Sequence, residues 1–301
     1  MNAFAPHPRA PFEGYYRRFH LPSGNTLVPT LCSVRKIKHK THLLSITYIQ
    51  NPGVDQTIWQ RELSPSQISM TPSTNDYFTL TVPETCDITV GKYPTSPTQI
   101  SLRTSDITLE ATSISRTPWG GPFDTPQDWL TYLPLPLHWH VHSLGSPVSF
   151  QLQLPGIADA DRQGHAILHQ EKNWGVTFPQ RHAFLLGYSG EREQVSFRPT
   201  LAMRVGGVSP TMAATVSWET RAVERRARGL WRRLEVVATA PEGSFVGLTA
   251  PFAEGLKKNF VGESFCANVI VKVFRRRWIG GGGRSRLIGW YPPAGSVEER
   301  N

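Results

Sequence analysis

Three histidines, His138, His140 and His142, alternate in the run LHWHVHS. On a strand, side chains two residues apart point to the same side, so the three imidazoles would share one face. Such a face could hold zinc if a curved neighbouring strand supplied oriented partners. No second His-rich or carboxylate-rich motif accompanies it, so the expectation is hydrogen-bonded histidines at a cleft and no metal.

A second run, Leu168 to Pro179, carries more polar chemistry: LHQEKNWGVTFP. If a strand runs to Asn173, then His169, Glu171 and Asn173 share one face, and Gln170, Lys172 and Trp174 share the other. Either face puts polar groups where a β protein wants apolar ones. Burying them unpaired is costly, so such a face is either a satisfied structural network or a ligand-facing site.

The elements that must position these residues are strands. β-Branched and alternating runs recur at 26–31, 43–49, 77–82 and 107–112, separated by turn clusters such as Pro22-Ser23-Gly24-Asn25. This spacing predicts a meandering antiparallel sheet. From Thr117 to Pro136 the texture changes to TPWGGPFDTPQDWLTYLPLP, a Pro-, Gly- and Trp-rich crossover between a β half at 1–116 and another at 137–301. Its aromatics, Trp119, Phe123, Trp129 and Tyr132, would pack a linker that borders a cleft. Within the second half, residues 223–234 fit either a helical stripe or a hairpin, and the β-branched pair Val236-Val237 favours the hairpin.

The 25 glycines, 25 prolines and 18% charged residues suit short strands and many turns. Cys32, Cys86 and Cys266 are too scattered for a disulfide framework or a zinc knuckle, which points to a reducing, cytoplasmic setting. No window reaches the ~18 apolar residues of a membrane span, and membrane insertion is not expected. The net charge of +9 raises the question of nucleic acid. Its densest runs, Arg225 to Arg233 and Arg275-Arg276-Arg277, form no nucleic-acid motif, so they read as a solvated face, with an anionic membrane surface or an acidic partner as the alternative, and the expected partner is a small molecule.

Glu171-Lys172-Asn173-Trp174-Gly175 followed by Phe178-Pro179 resembles the central signature of the tocopherol cyclase family. Further segments are similar to that family in the same order: Phe12-Glu13-Gly14-Tyr15-Tyr16, Pro118-Trp119-Gly120, His138-Trp139-His140-Val141, Ala250-Pro251 with Gly255, and Ile279 to Gly283 with Gly289-Trp290. Together they span residues 11 to about 292, and it is their order rather than any single one that is specific. Tyr15 stands where the family usually has Trp, and Val176-Thr177 where plant members have two glycines, which implies a reshaped pocket and a different substrate.

The resemblance implies an all-β fold of two calycin- or lipocalin-like antiparallel barrel or sandwich domains with a cavity near their junction. It also implies a cofactor-independent cyclase of an apolar polyketide or terpenoid intermediate. The chemistry would need a box that holds one folded conformer, with an acid or a hydrogen-bond donor at the reacting atoms. Glu171, Asn173, His138 and His140 are the candidate catalytic groups. Glu13, Tyr15, Tyr16, Trp119, Trp174 and Phe178 are the candidate substrate-binding groups. Ring closure could be initiated by a proton or be pericyclic, and a non-catalytic lipocalin-like carrier shares the same architecture.

Overall fold

The computed structural model describes residues 2–35, 41–52, 55–72, 76–119, 125–176, 212–217, 222–228, 232–252, 255–276 and 285–291. These form antiparallel strands and two short 3-10 turns, so the chain is an all-β protein, as its turn spacing predicts. Among the described residues no helix is long and apolar enough to cross a membrane.

Two compact units divide the chain, one of residues 1–180 with 246–263 and one of residues 181–245 with 264–301. The first is built on a curled sheet whose strands are β1 (Phe12–His20), β2 (Thr26–Val34), β3 (His42–Gln50), β4 (Thr57–Leu63), β5 (Ser69–Pro72), β6 (Tyr77–Val82), β7 (Cys86–Gly91), β8 (Gln99–Arg103), β9 (Thr108–Ser113), β10 (Leu137–Gln153) and β11 (Gln163–Gly175). Their spatial order is β4-β3-β2-β1-β11-β10-β9-β8-β7-β6-β5. Two meanders, β1 to β4 and β5 to β10, are thus joined through β11 at the centre.

The division at 117–136 expected from the sequence is replaced by this arrangement. The Pro- and Trp-rich segment leads from β9 to β10, which pair directly, Val148 opposite Ser113. Its composition changes because it is an irregular connection within one sheet. Gln127 fastens it by acting as a partner for the start of β10. Its Nε2 donates to Leu137 O at 2.9 Å and its Oε1 accepts from Trp139 N at 3.1 Å.

Burial along the strands follows what covers each face. β6 alternates, with Phe78, Leu80 and Val82 buried on the concave side. β2 and β3 are buried almost throughout. Leu27, Leu31, Leu44 and Ile46 join the concave core, while Cys32, Val34 and Leu43 form a smaller cluster with Phe12, Leu137 and Leu256. Leu256 belongs to a two-stranded ribbon, β15 (Phe245–Phe252) and β16 (Gly255–Ser264), that lies against the outer face.

β10 is 17 residues long and its pairing with β11 slips twice. Val141 faces Glu171, Ser143 faces Gln170 and Ser146 faces Leu168, so β10 carries an extra residue at each of two bulges. The Ser143 and Ser146 hydroxyls bridge the irregular stretch at 2.6 Å.

The second unit contains a five-stranded sheet in the order β12-β13-β14-β17-β18, from β12 (Met212–Ser217), β13 (Ala222–Arg228), β14 (Arg232–Thr239), β17 (Asn268–Arg276) and β18 (Ser285–Tyr291). The ambiguous segment is therefore a hairpin, with Ala227 opposite Leu234. β pairing won because each alternate residue has a cross-strand partner there. The basic runs meet in register, Arg228 opposite Arg233 and Arg232 opposite Arg275. Thr177, Phe178, Pro179, Arg277 and the segment from Ile279 to Gly283 lie outside the described residues.

Candidate active site on the central strands

Three of the segments that carry the family resemblance, on β1, β10 and β11, are far apart in sequence and adjacent in the sheet. Phe12 and Leu137 both pair with Gly175, and Trp174 lies between Glu13 on β1 and His138 on β10. Gly175 is needed there because a Cβ would run into the Pro136 carbonyl.

Opposed side chains in antiparallel strands share a face. On the concave face the register aligns Glu13 with Trp174 and His138, Tyr15 with Lys172 and His140, and Arg17 with Gln170 and Ser143. Glu13, Tyr15, Arg17, His138, His140, Gln170, Lys172 and Trp174 are all buried. Tyr16, Glu171, Asn173 and Trp139 occupy the outer face. The sequence-predicted residues are thus split by β11 rather than gathered, since Glu171 and Asn173 point away from His138 and His140. The parity of the Leu168 to Pro179 run already contained this division.

On the concave side Lys172 and Glu13 form an ion pair at 3.1 Å, both fully buried. Lys172 Nζ also donates to Ala5 O and lies 3.0 Å from His7 Nδ1. Glu13 accepts from His7 N at 3.0 and 2.9 Å and has Arg35 at 3.8 Å. Burial alone would raise the Glu13 carboxyl, but its bonds to His7 and the charge of Lys172 bring it down to about 2. Burial lowers Lys172 to about 8, against the pull of Glu13. Trp174 is stacked between His7, 4.1 Å between ring centres, and His138 at 5.1 Å. These contacts clasp the N-terminal segment over the concave face. Tyr15 is packed on Phe78, and burial pushes its hydroxyl well up.

His140 and His142 contact each other edge to face at 4.8 Å. Burial holds His140 at about 3 and His142 also far down, so both are neutral imidazoles. Among the described residues no group of three or more His, Cys, Asp or Glu is placed to hold a metal.

The outer face has a different character. Glu171 Oε2 accepts from Trp139 Nε1 at 3.0 Å and lies 3.1 Å from His169 Nε2. His169 Nδ1 lies 3.1 Å from Leu144 O, a carbonyl in the β10 bulge. Tyr16 donates its hydroxyl to Glu263 Oε1 on β16 at 2.6 Å. Burial raises Glu263 to about 7, opposed by the Tyr16 bond and Arg18 and reinforced by the charge of Glu171. Trp119 packs on Trp139 at 5.8 Å, and Tyr16 on His169 at 6.4 Å. Asn173 is half-buried beside Glu171, with no side-chain hydrogen bond among the described residues.

Parity placed His169 on the face of Glu171 and Lys172 on the other without giving either a partner, and sequence reasoning missed Glu263, His7 and Arg17 altogether. Glu263 and His7 come from distant segments with no signal of their own. A surface cleft of about 690 Å3 lies elsewhere in this unit, between residues 104–108 and 151–163, and none of the sequence-predicted residues lines it. In the crossover Trp119 is buried, whereas Trp129 and Tyr132 are exposed.

No family model and no curated protein sequence matches the chain. Among solved structures it is similar to CghA, at 9% identity over 99% of this chain and 96% of that one, with a TM-score of 0.48. A structure of CghA with Sch210972 gives 11% identity over 96% and 93% of the two chains, again at 0.48. An AttH candidate from Nitrosomonas europaea gives 11% identity over 96% of this chain and 71% of that one, at 0.37. These likenesses assign neither activity nor substrate.

Proposed function

We propose that this chain is a cofactor-independent cyclase of an apolar polyketide- or terpenoid-type intermediate, and that Glu171 supplies the acid for ring closure. The observation that supports this reading is the bonding of His169. A backbone carbonyl only accepts, so the contact with Leu144 O requires the proton on Nδ1. The short contact between Nε2 and Glu171 Oε2 then requires a second proton between those two atoms. Otherwise a lone pair would face a carboxylate. The pair therefore holds one transferable proton, and Trp139 fixes the carboxyl that shares it.

In the proposed reaction that proton is delivered to an alkene carbon of the folded substrate. A hydroxyl or enol oxygen of the same molecule closes the ring on the resulting cation and returns its own proton to the Glu171–His169 pair. The net change is an isomerisation. Trp119, Trp139 and Tyr16 offer π faces to the developing positive charge. Glu263, held near neutrality, is a second proton store within the same cluster.

General acid catalysis contributes ~10²–10⁴-fold, so Glu171→Gln should lose at least about 100-fold in turnover while remaining folded. The wild-type enzyme in D2O should place one deuterium in each product. A folded Glu171→Gln variant that keeps its rate, with no deuterium in the product, would replace protonation by a pericyclic closure. Tight binding of unchanged ligand by the wild type would replace the cyclase by a carrier.

A further inference from the structure

On the concave face, one turn of register away from the Lys172 clasp, lies a cation with no anion. Arg17 is 2% exposed, and its Nε and Nη1 have no hydrogen-bond partner among the described residues. It stands opposite Gln170, whose Oε1 is likewise unpartnered, and next to the row that holds Lys172 and His140. Both ring nitrogens of His140 and of His142 are also without partners. The carboxylate in this region, Glu13, is already engaged by Lys172, His7 and Arg35. Burial lowers Arg17 only to about 10, so it is charged at neutral pH.

A buried, unpaired guanidinium is strongly unfavourable unless something anionic meets it. What covers this patch offers nothing anionic. Phe4, on the N-terminal segment, sets its ring edge-on to His142 at 5.1 Å and to Phe78 at 5.4 Å, with His140 at 6.2 Å. An apolar plug over unpartnered donors is a mismatch, whereas the rest of the segment is well bonded through Ala5 and His7.

We propose that the concave face of β1–β11–β10 is a second binding site, in which Arg17, assisted by His140 and His142, takes the carboxylate of an apolar molecule whose chain displaces Phe4. The buried guanidinium calls for an anion, and Lys92 Nζ, 4.6 Å from the centre of the Phe4 ring, adds a second positive charge at the plug. The planar guanidinium suits the two oxygens of a carboxylate, and Phe78 and the aliphatic core beneath it suit a hydrocarbon tail. This site is on the opposite side of β11 from Glu171, and binding here does not depend on the cyclase reading.

The test is calorimetric titration of the purified protein with sodium decanoate, with 1-decanol as the uncharged control. Decanoate should bind one per chain and at least about tenfold more tightly than decanol, the factor expected for charged hydrogen bonds. Arg17→Met should abolish that preference and should melt no lower than the wild type, because no hydrogen bond of Nε or Nη1 is lost and the methionine chain can still pack on the Tyr15 ring. Phe4→Ala should bind decanoate more tightly, since the plug no longer competes. Glu171→Gln should bind it unchanged, which separates this site from the outer one. Equal binding of decanoate and decanol, or binding of neither to both wild type and Phe4→Ala, would overturn the proposal. So would a marked fall in the melting temperature of Arg17→Met, which would show the guanidinium to be structurally satisfied.

Discussion

Glu171 and Lys172 are neighbours in the chain and sit in opposite settings. Lys172 faces inward and is saturated by Ala5, His7 and Glu13. Glu171 faces outward and uses one oxygen for both its partners, Trp139 and His169, which leaves Oε1 open among the described residues. A group whose every bond is satisfied holds structure together. A group with a fixed orientation and one unused oxygen can do chemistry. On the proposed function, the polar residues of one strand thus divide into a clasp and an acid by the side to which they point.

The comparison is broken most forcefully at the clasp. Lys172→Met should cost about 3 kcal/mol of stability by leaving Glu13 in a dry interior with only His7 and the more distant Arg35 to meet its charge, read by denaturant unfolding. Adding Glu13→Leu should recover most of that loss. If Lys172→Met instead abolished turnover with unchanged stability, the assignment of the two faces would be reversed.

Acid should act next, through the concave histidines. His140 has a folded value near 3 against 6.5 unfolded. The unfolded chain therefore takes up this proton first as pH falls, and stability declines from about 6.5 down to about 3. At pH 4 the loss from this group is about 3 kcal/mol. His140→Phe should flatten the pH dependence of the melting temperature in that window. Glu13 adds a lower window, since its depressed carboxyl contributes stability above 4.5 that is lost as pH falls through about 2. A Lys172→Met variant should lose part of that second window as well.

The smallest effect belongs to the outer cluster. Tyr16→Phe removes one hydrogen bond to Glu263, worth about 1 kcal/mol in stability. Because that bond and Arg18 favour the carboxylate while burial and Glu171 oppose it, its loss should move the acid limb near pH 7 upward in the pH–rate profile. A profile that stays in place would remove Glu263 from the proton store.

The sheet was legible where strands alternate or carry β-branched runs, as at Tyr77–Val82, and where turn residues bracket them. The division into halves was misplaced at 117–136 because a change in composition marks any irregular connection, whether or not a sheet ends there. β1 escaped notice as a strand because Glu13, Tyr15 and Arg17 make its buried face polar, the reverse of the usual pattern. In the candidate site, parity showed which residues of β11 belong together. It could not show which side is concave, since that depends on pairing with β1 and β10. Contacts from Glu263 and His7, 92 and 164 residues from Glu171 and set by tertiary folding, leave no local trace.

The paired bulges in β10 have a consequence for how this sequence can change length. Each adds a residue that reverses the in-and-out order of everything beyond it, and the second undoes the first. Losing a single residue between Val141 and Ser146 would turn Val148, Phe150 and Leu152 out of the core and bring Ser149 and Gln151 in. It would also withdraw the Leu144 carbonyl that dictates which nitrogen of His169 carries its proton. Related chains should therefore differ in length here by two residues or by none, and the spacing from His140 to Val148 should read as rigidly as any catalytic motif.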